Sequence, residues 1–273
     1  MFILLAGSSG AGKNTVIKAL EKRDEKYKLM PTYTTREKRE GEVHGYPYYF
    51  VSREEFQQLI KNNELLEHEK IHNNYYGSSK KIIEEFLKDD KLLIKDIDVY
   101  GAQNIYTKLN PQIDVLRVFL TTKNKAELKR RLKQRGEKNI KLRLKRFKLE
   151  QKEMIKFDYI ILNNDLDKTC DIVDSLEDAN YLDFIPTLEY KKLKLSKVKK
   201  YISDLQSGKL LKPIKLLYKD GKTYILKGHE KLIAEIYSGK VVAKMYVDYN
   251  KSIKLVDENS LYSWHQLILK QDI

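Results

Sequence analysis

The chain has 273 residues, 41% of them hydrophobic and 34% charged, with a formal net charge of +14. This length allows two domains, the single cysteine (Cys170) excludes an internal disulfide and suits a reducing cytoplasm, and no apolar run reaches the length of a membrane span. The positive balance favours polyanionic partners, whether nucleotides, nucleic acid or acidic surfaces, without choosing among them.

The first predicted element is the run Phe2-Ile3-Leu4-Leu5-Ala6, which reads as a strand buried on both faces of a parallel sheet. It has no basic n-region and leads straight into a glycine loop, so it is not read as a signal peptide. The loop, GSSGAGKN, matches the phosphate-binding pattern GxxxxGK[ST] at Gly7, Gly12 and Lys13 and puts Asn14 where a Ser or Thr hydroxyl would meet Mg²⁺. A helix follows, with Val16, Ile17 and Leu20 on its apolar side. Gly7, Ser8, Ser9, Gly10, Ala11, Gly12, Lys13, Asn14 and Thr15 are therefore expected to cradle the phosphates of ATP, with Lys13 reaching the β- and γ-phosphates. The amide oxygen of Asn14 is itself a hard ligand that Mg²⁺ accepts.

All ten arginines lie between Arg23 and Arg146, in a chain that otherwise uses Lys for its positive charge. Phosphate recognition by a rigid guanidinium fork would explain that placement in two clusters, Arg36 with Arg39 and Arg130, Arg131, Arg135, Arg143 with Arg146, of which Arg130 and Arg146 read as solvated helix faces. Between these clusters the run Leu92-Leu93-Ile94 predicts a strand followed by Asp96 and Asp98, at the strand end where α/β sheets place ligands, and alternation would send both carboxylates to one face. Tyr159 to Leu162 predicts another strand, followed by Asn163. Near Asn180 the composition shifts: from there on 18 Lys oppose 10 acidic residues and Arg is absent. In this second part Ser196 is expected to cap a helix running to Leu205, Pro213–Leu217 and Thr223–Leu226 to form a hairpin about Asp220-Gly221, His229–Tyr237 to form a helix, and Val241–Val247 to form a closing strand.

The stretch TTREKREGEVHGYPYYF, Thr34 to Phe50, resembles the nucleoside-monophosphate motif of guanylate kinases. The resemblance continues through NNELLEHEKIHNNYYGSS (62–79), KDIDVYGAQ (95–103), KRRLKQRG (129–136) and DYIILNNDL (158–166), and covers roughly residues 1–180. It implies an α/β P-loop nucleoside monophosphate kinase fold with a parallel sheet core, a GMP-binding region at about 32–82 and a lid at about 131–146. The implied activity is transfer of the γ-phosphoryl of ATP to GMP or dGMP with Mg²⁺ as cofactor, by a cytoplasmic enzyme with no membrane partner. Arg36, Arg39, Tyr48 and Tyr76 would then bind the acceptor's phosphate. Guanine presents N1–H and N2–H₂ donors beside an O6 acceptor; Glu67 and Asp98 would answer the donors, and Thr32 or Ser78 would answer O6. Asp96 would lie with Asn14 at the Mg²⁺–phosphate region, Asn163 on the adenine side of ATP, and Arg131, Arg135 and Arg143 on the lid. Lys13, Arg36, Arg131 and Arg143 would supply charge during transfer. Two departures stand out besides Asn14: the lid looks a few residues short, and Lys95 replaces the family's usual apolar residue, which reads as a strand less enclosed on one side.

LLKPIKLLYKDGKTYILKGHEKLIAE, Leu210 to Glu235, resembles the ParB/sulfiredoxin-like fold, which implies a small α+β domain at 181–273. Its turn Gly228-His229-Glu230-Lys231 would hold a nucleotide or nucleic-acid phosphate, with Gly228, His229 and Lys231 as the anion site; the turn has no cysteine, which argues against sulfiredoxin chemistry. Two other readings of the whole chain stay open at this point. One is a catalytically weak guanylate-kinase-like binding module, against which the intact Lys13, Arg36 and Arg39 count; the other is a nucleic-acid-binding regulator dominated by its Lys-rich C-terminal part.

Overall fold

A computed structural model describes residues 1–71, 73–86, 88, 91–110, 112–177, 179–180, 183–248 and 264. Of the domain expected at 181–273, residues 181–182, 249–263 and 265–273 lie outside the described residues. The chain divides into two compact units, one formed by residues 1–7 and 12–117 and the other by residues 8–11 and 118–273. Among the described residues no helix is long and apolar enough to cross a membrane.

In chain order the first unit contains β1 (Phe2–Gly7), α1 (Lys13–Arg23), β2 (Tyr27–Leu29), β3 (Thr32–Thr34), β4 (Val43–His44), β5 (Pro47–Phe50), α2 (Arg53–Lys61), β6 (Leu65–Ile71), β7 (Asn74–Ser79), α3 (Lys80–Phe86), β8 (Leu92–Asp96) and α4 (Val99–Leu109). Every residue of β1 is buried, as its uninterrupted apolar run requires, and it pairs in parallel with β8, which pairs in parallel with β2. Val16, Ile17 and Leu20 form the buried side of α1. A second sheet runs in the order β4-β5-β3-β7-β6. Against it lies α2, started by a capping box in which the Ser52 hydroxyl accepts from the Glu55 amide and the Glu55 carboxylate accepts from the Ser52 amide. The packing is close: a Cβ on Gly77 would stand 2.8 Å from Leu65 Cδ1 and 2.9 Å from Phe56 Cζ, so β7 passes here only as glycine.

One sequence expectation fails in this unit. β8 ends at Asp96, and Asp98 is instead the N-cap of α4, accepting hydrogen bonds from the Tyr100 and Gly101 amides at 2.8 and 3.3 Å. A carboxylate two residues past a strand is well placed to satisfy helix-start amides, so strand alternation stops before it reaches Asp98.

The second unit takes β9 (Val115–Thr121) from Val118 onward, then α5 (Lys125–Gln134), α6 (Ile140–Glu153), β10 (Tyr159–Leu162), α7 (Leu166–Asp174), β11 (Ile185–Pro186), α8 (Leu195–Gln206), β12 (Ile214–Lys219), β13 (Lys222–Lys227), α9 (His229–Ser238) and β14 (Lys244–Tyr246). Its strands lie in the order β11-β13-β12-β14-β10-β9. Strand β10 is parallel to β9 on one side and to β14 on the other, with Tyr159 opposite both Val118 and Lys244. The compact units therefore do not part near residue 180, because strands from both sides of that position share one sheet. The junction is well packed: the rings of Tyr159 and Tyr246 stack at 6.2 Å, the Lys244 amide donates to the Asp158 carbonyl at 2.9 Å, and the buried Lys244 ammonium pairs with the buried Glu235 carboxylate.

The hairpin β12–β13 turns at Asp220 and Gly221, whose φ angles of 51° and 73° are both left-handed, as a two-residue turn of this hand demands. Ser196 is not a cap: α8 begins at Leu195, and its N-cap, Lys194, makes no side-chain capping bond. The closing strand is shorter than the apolar pattern suggested, keeping only Lys244–Tyr246 of the expected Val241–Val247.

Candidate active site

The glycine loop has the backbone its sequence requires. Gly7, Gly10 and Gly12 have φ of 147°, 94° and 98°, values that side chains disfavour, and the Ala11 amide closes the turn onto the Ser8 carbonyl at 2.8 Å. At Gly10 a Cβ would also come within 3.0 Å of Leu132 Cδ2. The Lys13 ammonium folds back to donate to the Gly7 carbonyl at 2.7 Å and lies 3.6 Å from Asp96 Oδ1. Asn14 and Asp96, the two expected metal-side residues, line one cleft of about 370 Å³ together with Met30, Thr32, Tyr46 and Tyr48. Tyr46 fixes one wall by donating to Glu21 at 2.5 Å.

The expected acceptor-phosphate residues fall together in the first unit. Arg36 lies in the turn after β3 and packs its guanidinium 5.1 Å from the ring centre of Tyr48 and 5.4 Å from that of Phe50. Its Nη2 donates to both carboxylate oxygens of Glu42, at 2.8 and 2.9 Å, and its Nη1 to the Glu37 carbonyl at 2.7 Å. Burial pushes the Glu42 carboxyl upward, but hydrogen bonds from Arg36 and the Arg39 amide outweigh it and hold the group below its ordinary range. Tyr48 and Tyr76 meet edge to face at 6.3 Å, and burial, with Asp96 nearby, pushes the Tyr48 phenol well above 10, so it remains a donor. The Arg39 amide binds Glu42, while its side chain is exposed.

Of the expected base-reading residues, Thr32, Glu67 and Ser78 are buried and Asp98 is half-buried. Glu67 is on β6 and Ser78 on β7, both buried, and Ser78 donates to Glu67 Oε1. Lys95, read from sequence as the mark of an open strand, is only 1% exposed, and its ammonium donates to Thr32 Oγ1 at 2.7 Å. Here the expectation is reversed. Glu67 is buried here with Asp96 and Asp98 half-buried, and Lys95 on β8 supplies the opposite charge. Burial lowers the Lys95 pKa to about 8, opposed by Glu67, Asp96 and Asp98. Burial likewise raises Glu67, and Lys95 and Ser78 oppose it. Lys95 was visible in the sequence as an oddity, but a lone lysine after an apolar run carries no signal of what it faces.

The arginines of the second unit are held by carboxylates and carbonyls. Arg131 bonds Glu127 and the Asn163 carbonyl, each at 2.8 Å, and hydrogen bonds from Arg130 and Arg131 hold Glu127 down at about 2. Arg143 lies 3.6 Å from Glu137, and Arg135 is the exposed C-cap of α5. Asn163, expected on the adenine side, lies behind the glycine loop. Its side chain is buried, donates to the Ala11 carbonyl at 2.7 Å and accepts from Thr169 at 3.0 Å, so it braces the glycine loop from behind. In α9, Gly228 (φ 102°) is the N-cap, His229 is buried against Trp264, and the Lys231 ammonium donates to the Lys212 carbonyl at 2.9 Å.

A buried parallel strand that leads into a glycine loop with its lysine, followed by a helix, fits a P-loop nucleoside monophosphate kinase fold. The guanylate kinase family profile matches residues 1–179. The guanylate kinase of Helicobacter pylori (strain 26695) is 43% identical over 177 residues, covering 64% of this chain and 84% of that protein. The Campylobacter jejuni (strain RM1221) guanylate kinase is 42% identical over 169 residues, covering 60% and 81%. The crystal structure of guanylate kinase from Anaplasma phagocytophilum superposes with a TM-score of 0.53 at 28% identity, covering 65% of this chain and 84% of that one. The chain belongs to the guanylate kinase family and is, as a member, a phosphotransferase.

Proposed function

We propose that the chain transfers the γ-phosphoryl group of ATP to GMP, and to dGMP, giving ADP and GDP or dGDP. The observation that supports this reading is the cluster of buried Glu67, Ser78 and Thr32 with half-buried Asp98, in the same unit as Arg36 and Lys13. Its carboxylates suit the two donor positions of guanine and not the acceptor N1 of adenine. Arg36, Arg39, Tyr48 and Tyr76 would hold the GMP phosphate so that one of its oxygens attacks the γ-phosphorus in line while the bond to the β-phosphate oxygen breaks. Lys13 and the loop amides would hold the charge left on ADP.

The residues present suit Mg²⁺. Asn14 and Asp96 offer hard oxygens in one cleft, and the ion would take its remaining ligands from phosphate and water. When bound, the ion would neutralise phosphate charge. Arg131 and Arg143 would turn from their resting partners, and exposed Arg135 from the helix end, toward the phosphates when nucleotides bind.

We assign phosphotransfer to residues 1–180 of this cytoplasmic enzyme and treat residues 181–273 as an added ParB-like segment, with an anion site at Gly228, His229 and Lys231 for a nucleotide or nucleic acid. The glycine turn into α9 supports that second site. The deciding experiment measures ADP formation from ATP and Mg²⁺ with GMP, dGMP, AMP, CMP and UMP in turn. GMP is expected to lead, followed by dGMP. A preference for AMP or UMP would overturn the acceptor assignment, and no turnover with any of the five would favour a binding module.

A further inference from the structure

Glu42 joins the two expected acceptor arginines, and the acceptor reading gives it no role. It follows Gly41, whose φ of 77° turns the chain back on itself, and its carboxylate is fixed from two directions. On the backbone side, Glu42 Oε2 accepts from the Arg39 amide at 2.8 Å while the Glu42 amide donates to the Arg39 carbonyl at 3.1 Å. On the other side, Oε1 and Oε2 both accept from Arg36 Nη2, at 2.8 and 2.9 Å. The paired side chains of Arg36 and Glu42 are only 13% and 20% exposed, which sets this contact apart from a solvated ion pair that contributes little.

The place in which Glu42 holds Arg36 is the informative part. The guanidinium lies 5.1 Å from the ring centre of Tyr48, and Tyr48 meets Tyr76 at 6.3 Å, so three of the four expected phosphate residues already stand side by side. A carboxylate that competed with the phosphate would draw the guanidinium away from these rings; this one keeps it against them. Among the described residues Arg36 Nε has no hydrogen-bond partner, which leaves a donor for a phosphate oxygen. A long side chain that is loose in the free protein must be ordered when its ligand binds, and that cost weakens binding.

We propose that Glu42 is a positioning residue of the acceptor site, which holds the Arg36 guanidinium beside Tyr48 before the monophosphate arrives, so that binding does not have to order it. This rests on the guanine-acceptor reading above. Glu42 acts on the phosphate only through Arg36.

The test compares the wild-type chain with Glu42→Ala, Glu42→Gln, Arg36→Ala and the double variant Arg36→Ala/Glu42→Ala. Each is measured by ADP formation with GMP varied at saturating ATP and with ATP varied at saturating GMP, by calorimetric titration with GMP alone, and by thermal melting. Glu42→Ala is expected to weaken GMP binding and raise KM for GMP about two- to twelvefold, the cost of ordering one long side chain, with KM for ATP and kcat close to wild type. In the Arg36→Ala background the same substitution should change GMP binding by less than about twofold, because the residue it acts through is gone. Unchanged GMP binding in Glu42→Ala would overturn the proposal by showing that the pair only supports the fold, and tighter binding would overturn it by showing that Glu42 competes with phosphate for Arg36. An equal loss with and without Arg36 would overturn it as well. If Glu42→Ala does not fold, Glu42→Gln decides by the same readings, since it keeps the size of the side chain and removes the charge. Failure of the wild-type chain to phosphorylate GMP is a separate result that removes the acceptor reading; the titration with GMP then still decides the role of Glu42, and a wild-type chain that does not bind GMP overturns both.

Discussion

Replacing Arg36 by Lys keeps the positive charge and removes the planar fork, so it separates two ways of holding a phosphate. In the structure the guanidinium makes three hydrogen bonds through two nitrogens and lies over two aromatic rings. A lysine ammonium can keep one carboxylate contact but cannot reach the Glu37 carbonyl from the same position or lie flat on Tyr48 and Phe50. The lost ring contacts, at about 0.5–1 kcal/mol each for partly exposed cation–π pairs, suggest a stability loss of about 1–2 kcal/mol. One charge-assisted hydrogen bond to the acceptor phosphate, worth about 1.5–3 kcal/mol, corresponds to a rise of about 10- to 150-fold in KM for GMP. The assay is ADP formation against GMP concentration at saturating ATP, with a melting curve on the same sample. A wild-type KM in Arg36→Lys together with a large rise in Arg36→Ala would show that charge alone suffices. A fall in kcat with KM unchanged would move Arg36 from ground-state binding to the transition state.

Arg131→Ala should lower kcat more than it raises either KM, since the charge is needed most as the phosphoryl group moves; wild-type kinetics would remove Arg131 from the reaction. Asn14→Ser should keep or modestly raise activity with Mg²⁺, and Asn14→Ala should lose only part of it; an Asn14→Ala variant as inactive as Lys13→Ala would give the amide a larger role. A chain ending at Asn180 should retain GMP kinase activity with a lowered melting temperature and faster aggregation, because it loses the β14 partner of β10. Melting unchanged by the truncation would contradict that account. Burial lowers the His229 pKa from its ordinary 6.5 to about 4. Between those values the unfolded chain takes up a proton that the folded chain refuses, so this stability is fully present above pH 6.5 and is lost as pH falls toward 4. The loss is of order 3 kcal/mol. Denaturant titrations of wild type and His229→Gln should therefore converge on acidification, and parallel curves would refute the buried neutral imidazole.

What could be read from sequence was local or periodic. The apolar run of β1, the loop glycines, the hairpin at Asp220-Gly221 and the helix opening at His229 each follow from neighbours in the chain, and each is present. The expected acceptor residues could be named because a motif fixes their spacing. What stayed hidden depends on partners far along the chain. The burial of Lys95 is decided by Thr32, which is 63 residues away. Asn163 is turned from solvent by the Ala11 carbonyl, 152 residues away. The shift in composition near residue 180 is real, but composition does not say which sheet a strand will join, and β14 joined β10.

That junction also sets an order of events during synthesis. Strand β10 finds β9 among residues already made, but its other neighbour, β14, is the last strand in sequence among the described residues. At about 5–20 residues per second, β10 waits on the order of ten seconds with one row of backbone donors and acceptors exposed. The segment added beyond the kinase region thus leaves an interval in which the nascent sheet is open to a stray strand. Once β14 docks, that side of the sheet ends, among the described residues, at β11, a two-residue strand that includes Pro186 and offers an incoming chain little to pair with.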